Sequence, residues 1–114
     1  MNKNTGKFFW GPALWKTMHS LAASYTPDQR AYMKDFIYSL IHLLPCKYCK
    51  THWKNNLEML NIDDYLGNNH DCFLFTYFMH DIVNKSLGKK SPPFNQIKSI
   101  YFKGMGPECS ECKL

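Results

Sequence analysis

The sequence predicts an all-α domain: four helices packed as a bundle, a short fifth helix and a flexible C-terminal tail. Helical period dominates the apolar pattern, strand-like alternation is nearly absent, and Gly, Pro and Asn clusters punctuate the chain at helix-sized intervals. At 114 residues the chain is long enough for one domain with its own core. The domain is expected over 1–104, with 105–114 as a tail.

Gly11-Pro12 can open a first helix running to about Ser24, with Pro12 in the first turn where a missing N–H costs nothing. Thr26-Pro27-Asp28-Gln29 has the form of a capping box for a second helix. In that helix Met33, Phe36, Ile37, Leu40, Ile41 and Leu44 follow the three-four spacing of one buried stripe. Pro45 should end it and open a third helix, from Cys46 to about Leu60. Residues 61–71 contain Asp63, Asp64, Gly67, Asn68 and Asn69 and read as a loop with room for one helical turn. A fourth helix is expected over Cys72–Leu87, closed by Gly88 as a left-handed cap. Ser91-Pro92-Pro93 forces a turn, and Asn95–Phe102 makes the fifth helix, stopped by Gly104.

Composition narrows the class. An apolar share of 45% with 16% aromatics argues for a folded globule, while the apolar runs are too short or too interrupted to span a bilayer. The polar start Met1–Lys7 shows no legible signal or transit peptide, so a cytoplasmic location is expected. A net charge of +5 invites a nucleic-acid reading, but the fourteen basic residues are dispersed and only Lys89-Lys90 adjoin; specific nucleic-acid binding is not expected.

Two Cys-x-x-C pairs carry the chemistry: Cys46-Lys47-Tyr48-Cys49 and Cys109-Ser110-Glu111-Cys112. Two thiols at this spacing can close and reopen a small disulfide ring, moving two electrons. Cys46 and Cys49 fall in the first turn of a helix, where unsatisfied amides and the helix dipole favour a thiolate. Cys49 shares a face with Cys46, His52 and Trp53. The second pair follows Gly104, Gly106 and Pro107 in a polar stretch that discourages helix. A structural disulfide, a metal half-site, or one tetrahedral zinc on all four thiols in a non-enzymatic adaptor are the competing readings. The fifth cysteine, Cys72, has no local partner and precedes Phe73-Leu74-Phe75; a buried thiol is favoured over an intermolecular bridge.

Gly11, Trp15 and His19 recur every fourth residue, as do His80 and Asn84, each series making a stripe on one helix face. Taken singly, each His is more often a satisfied core or surface residue. With Trp10, His52 and Tyr101 they offer flat faces and hydrogen-bonding edges suited to a large aromatic cofactor between helices, and a flavin beside the dithiol accounts for the set.

Trp10-Gly11-x-x-x-Trp15-x-x-x-His19, Cys46-x-x-Cys49-x-x-His52 and His80-Asp81-x-Val83-Asn84-x-x-Leu87-Gly88-Lys89 occur in this order and resemble the motifs of the Erv/ALR family of flavin-linked sulfhydryl oxidases, most of all its short members in large cytoplasmic DNA viruses. The resemblance implies an FAD-binding helical bundle and a homodimer. It implies oxidation of protein dithiols, with electrons passed to oxygen to give hydrogen peroxide, in the host cytoplasm or the virion. It assigns Cys49 to the position beside the flavin and Cys46 to interchange, with Cys109 and Cys112 as a shuttle pair. FAD contacts fall on Trp10, Gly11, Trp15, His19, His52, His80, Val83, Asn84 and Lys89, with Tyr101 where many members carry Trp; no metal is implied. Asp81 stands where Asn is usual. Cys72 aligns with half of a structural disulfide of cellular members whose other half is missing.

Overall fold

The computed structural model describes residues 3–103, with side chains from residue 9 onward. The expected tail 105–114, its Cys109 and Cys112, and the stop at Gly104 lie outside the described residues. Five helices make up the described chain: α1 Lys3–Ala23, α2 Arg30–Leu43, α3 Lys47–Met59, α4 Asn69–Ser86 and α5 Phe94–Phe102. Short 3-10 turns at Pro27–Gln29 and Ile62–Tyr65 lead into α2 and towards α4. The all-α class is as the sequence predicts, and α1 packs on α4 while α2 packs on α3, with α5 laid against α1.

The ends of the helices show why the chain turns where it does. Thr26 N–H donates to Gln29 Oε1 at 3.1 Å, one half of the expected capping box, although a 3-10 turn intervenes before α2 begins at Arg30. Leu44, before Pro45, is extended at φ −57°, ψ 134°, as a residue preceding proline prefers, and α2 stops there. Asn68 caps α4 by accepting from Asp71 N–H at 2.8 Å, so this helix starts three residues before the expected Cys72. Its far end is a Schellman turn: Gly88 has φ 71°, and the N–H of Lys89 reaches the carbonyl of Asn84 at 2.8 Å.

One boundary differs more. α1 begins at Lys3 rather than at Gly11-Pro12, which places Pro12 inside the helix, unable to donate to the carbonyl four residues before it. Trp10 and Leu14, one turn apart on either side of Pro12, both pack against the core, and this tertiary contact carries the helix across the proline.

The core joins both helix pairs. The α2 stripe is inward: Met33, Ile37, Leu40 and Leu44 are buried, with Phe36 and Ile41 packed beside them. Phe73, Phe75 and Met79 of α4 are sealed, and truncation of such an aromatic to Ala typically costs about 3–5 kcal/mol. Cys72 is 1% exposed, and burial pushes its thiol up to about 12, so it packs as a small apolar group. Three polar bonds pin the layers. Tyr25 OH donates to the Leu66 carbonyl at 2.7 Å, Trp53 Nε1 to the Ile37 carbonyl at 2.8 Å, and Asn69 Nδ2 to the Ala23 carbonyl at 2.9 Å.

Candidate functional site

Cys46 is the N-cap of α3, and its extended backbone at φ −152°, ψ 125° turns Sγ towards the opening turn, where it accepts from Cys49 N–H at 3.3 Å. Both cysteines are half-buried, and Cys49 packs against the core. A sulfur held over the first amides of a helix is in the setting that favours a thiolate. The shared face expected for Cys49, His52 and Trp53 divides: Trp53 is buried, whereas His52 is exposed. Four residues after Cys49, the Trp53 ring meets Trp15 edge-on with centroids 5.9 Å apart, linking the thiol helix to α1.

Where α1 meets α4, Trp15 stacks on His80 with centroids 4.1 Å apart and planes 5° from parallel, and on His19 at 5.7 Å. The imidazoles bond each other, His19 Nε2 to His80 Nδ1 at 3.0 Å, and the other nitrogen of His19 lies 2.9 Å from Thr76 Oγ1. Thr76 in turn donates to the Phe73 carbonyl at 2.8 Å. Tyr101 of α5 closes the cluster, edge-on to His19 at 5.2 Å. Burial, reinforced by the neighbouring His80, lowers the His19 pKa to about 4. Burial and then the Lys89 charge lower His80 to about 4 as well, against the opposing pull of Asp81. Both rings are neutral at pH 7. Burial raises the Tyr101 pKa, which keeps its phenol protonated.

Beyond His80 the site runs into the turn after α4. Asn84 Nδ2 donates to Ser91 Oγ at 3.1 Å, and Ser91 donates to Asp81 Oδ1 at 2.6 Å. Lys85 pairs with the other Asp81 oxygen at 3.0 Å. These bonds hold the Asp81 carboxyl below its ordinary pKa and commit it to bracing the Lys89 turn. Thr76, Ser91 and Trp53 thus join residues expected at the site. Thr76 had a signal, since Thr76, His80 and Asn84 continue one four-residue stripe; Ser91, after the helix, had none.

Of the sequence-predicted residues, Trp15, His19, His80 and Tyr101 form one contiguous cluster, with Lys89 near enough to act on His80. Trp10 lies against the core, Gly11 and Val83 are half-buried, and Asn84 is turned to Ser91. Gly11 is inside α1, and a Cβ built there meets nothing within 4 Å, so packing within the chain does not demand a glycine. Among the described residues no group of three His, Cys, Asp or Glu side chains could hold a metal ion; the four-thiol alternative needs Cys109 and Cys112, outside that range.

The sequence has relatives among known proteins. Residues 12–103 match the model of the Erv1 / Alr family. Protein 096R of Invertebrate iridescent virus 3 is 34% identical over 84 residues, covering 70% of this chain and 57% of that protein. The FAD-linked sulfhydryl oxidase of African swine fever virus is 32% identical over 96 residues, covering 81% and 79% respectively. The FAD-linked sulfhydryl oxidase ERV1 of Oryza sativa subsp. japonica is 29% identical over 104 residues, covering 88% and 53%. This chain spans little more than half the length of the iridescent-virus and rice proteins. With the family model matched over residues 12–103, most of its length, the chain belongs to the Erv1 / Alr family.

Proposed function

We propose that this protein is an FAD-linked thiol oxidase that forms disulfides in dithiol substrates. The observation that carries the reading is the joining of the Cys46–Cys49 turn, through Trp53, to the Trp15–His80 stack. FAD, when bound, supplies the chemistry of accepting two electrons from a dithiol and releasing them to oxygen as hydrogen peroxide. The residues fit such a group: flat apolar faces, neutral imidazole edges, a Lys89 charge and a glycine with open space beside it. Trp15 and His80 already touch face to face, so a planar ligand would meet the pair from outside rather than between the rings.

In this mechanism a substrate thiolate attacks Cys46 of the closed Cys46–Cys49 disulfide, giving a mixed disulfide and a Cys49 thiolate. The second substrate thiol then displaces Cys46, leaving an oxidised substrate and two reduced cysteines. The start of α3 stabilises the thiolate, and the burial of Trp53 fixes the side of the helix on which Cys49 stands. For large protein substrates the reading adds Cys109 and Cys112 as a relay on the 105–114 tail, outside the 1–104 domain. The homodimer and the cytoplasmic or virion location implied by the resemblance belong to the same proposal. No described helix is long and apolar enough to cross a membrane.

The test is the purified protein itself. It should be yellow, with a bound flavin released on denaturation, and should consume oxygen with dithiothreitol. Cys109→Ser with Cys112→Ser should retain most oxidation of dithiothreitol yet lose most oxidation of a reduced protein. Colourless protein containing one zinc per chain would favour the adaptor reading and overturn the oxidase.

A further inference from the structure

The three hydrogen bonds of the polar chain between α1 and α4 form together in only one arrangement of protons. The Phe73 carbonyl can only accept, and Thr76 Oγ1 lies 2.8 Å from it, so the single hydroxyl proton points there. Thr76 Oγ1 therefore meets His19 Nδ1, 2.9 Å away, as an acceptor, and that nitrogen must carry a proton. His19 is buried and neutral, which leaves its Nε2 bare. His80 Nδ1, 3.0 Å from this lone pair, has to be the donor. A neutral His80 protonated at Nδ1 is bare at Nε2, the nitrogen on the side of the ring away from His19.

The polarity of four groups is thus set from one end by a backbone carbonyl, through a hydroxyl that the motif pattern does not single out. We propose that Thr76 is a positioning residue: it fixes the tautomer of both imidazoles so that His80 presents a bare Nε2 acceptor and selects a hydrogen-bond donor, a hydroxyl or N–H of a bound flavin nucleotide, at that place. This rests on the FAD reading for the identity of the ligand but not for the state of the rings. Replacing the hydroxyl by a methyl reverses the chain. His19 Nδ1–H would then be buried with no acceptor, so the proton moves to Nε2 and is donated to His80 Nδ1, and His80 must carry its own proton on Nε2. The ligand's donor would then face another donor.

Nitrogen-15 correlation spectra of the imidazoles in the flavin-free protein at pH 7 test this directly. In the wild type both His19 and His80 should be Nδ1–H tautomers. Thr76→Val, close in shape, should convert both to Nε2–H and weaken FAD binding about tenfold, the scale of one lost and one opposed hydrogen bond. Thr76→Ser should restore the wild-type tautomers and bring affinity to within about twofold. A wild-type His80 protonated at Nε2 would overturn the proposal, as would rings unchanged by Thr76→Val. Switched tautomers with unchanged FAD affinity would overturn the selection of a donor. If Thr76→Val does not fold, the wild-type and Thr76→Ser spectra still decide. A wild type that shows Nδ1–H rings but binds no FAD would sink the cofactor reading and leave the role of Thr76 standing.

Discussion

His19 and His80 are 61 residues apart in the chain, and Cys46 and Cys49 are three apart; the two pairs are held by opposite means. The imidazoles are placed by tertiary structure, each on a different helix, bonded to one another and covered by the Trp15 face. The thiols are placed by local structure, a proline break followed by one helical turn, with Cys46 Sγ over the Cys49 amide. One pair is kept neutral by burial, and the other stands where a helix start favours negative charge. Rigid desolvated groups suit holding a ligand, and half-exposed groups at a helix end suit exchange with an incoming thiol.

The largest effect should come from the local pair. Cys49→Ser should lower thiol oxidation by at least about a thousandfold, because a hydroxyl cannot form the disulfide that exchange requires, while the bound flavin per chain stays at the wild-type level. Loss of flavin along with activity would show that the two regions are not separable. The tertiary pair should fail in the opposite way. His80→Ala removes the partner of a buried imidazole at a cost of about 1–3 kcal/mol, so FAD affinity should fall roughly 5- to 150-fold in a titration, and added FAD should recover turnover. Full retention of flavin near the wild-type dissociation constant would remove His80 from the cofactor cradle.

Protonation sharpens the contrast further. Folded His19 has a pKa of about 4 against 6.5 for the ordinary ring, so between those values the unfolded chain binds more protons. The stability gained with the neutral ring is complete above about pH 6.5 and is lost as pH falls towards 4, on the order of 2–3 kcal/mol for His19. Urea midpoints measured across that window should fall steadily. The carboxyls held low by their partners, Asp63 and Asp81, lose their contributions only below about pH 3.8, so they leave the window to the imidazoles. A flat midpoint from pH 6.5 to 4 would contradict the desolvated pair. The smallest effect belongs to Asp81→Asn. Asn can still accept from Ser91, and only the pair with the exposed Lys85 is lost, so unfolding free energy should change by no more than about 0.5 kcal/mol. FAD affinity should hold within about twofold, and a larger loss would mean that the Asp81 charge acts on the ligand directly.

Much of this was legible because it is local. The α2 stripe, the break at Pro45, Gly88 as a left-handed cap and Cys46 at the head of α3 each follow from neighbours within one or two turns. The start of α1 was not, because Gly11-Pro12 carries the punctuation of a helix start and only the packing of Trp10 overrides it. That His52 is exposed while the adjacent Trp53 is buried was not legible from the motif spacing, because Trp53 is directed inward by its bond to the carbonyl of Ile37, a residue of another helix. The His19–His80 bond was beyond any periodicity, since spacing identifies two polar stripes but does not tell which atoms meet.

Trp15 gives the molecule an optical signal of its own. An indole lying flat on an imidazole loses fluorescence when that imidazole gains a proton, and it loses more to any flavin close enough to take up its excitation energy. The 4.1 Å stack therefore makes the emission of this one residue a gauge of both the charge on His80 and the arrival of a flavin beside the stack. With Trp10 and Trp53 replaced by Phe, a steady-state spectrum would follow ligand arrival and ring titration without any label.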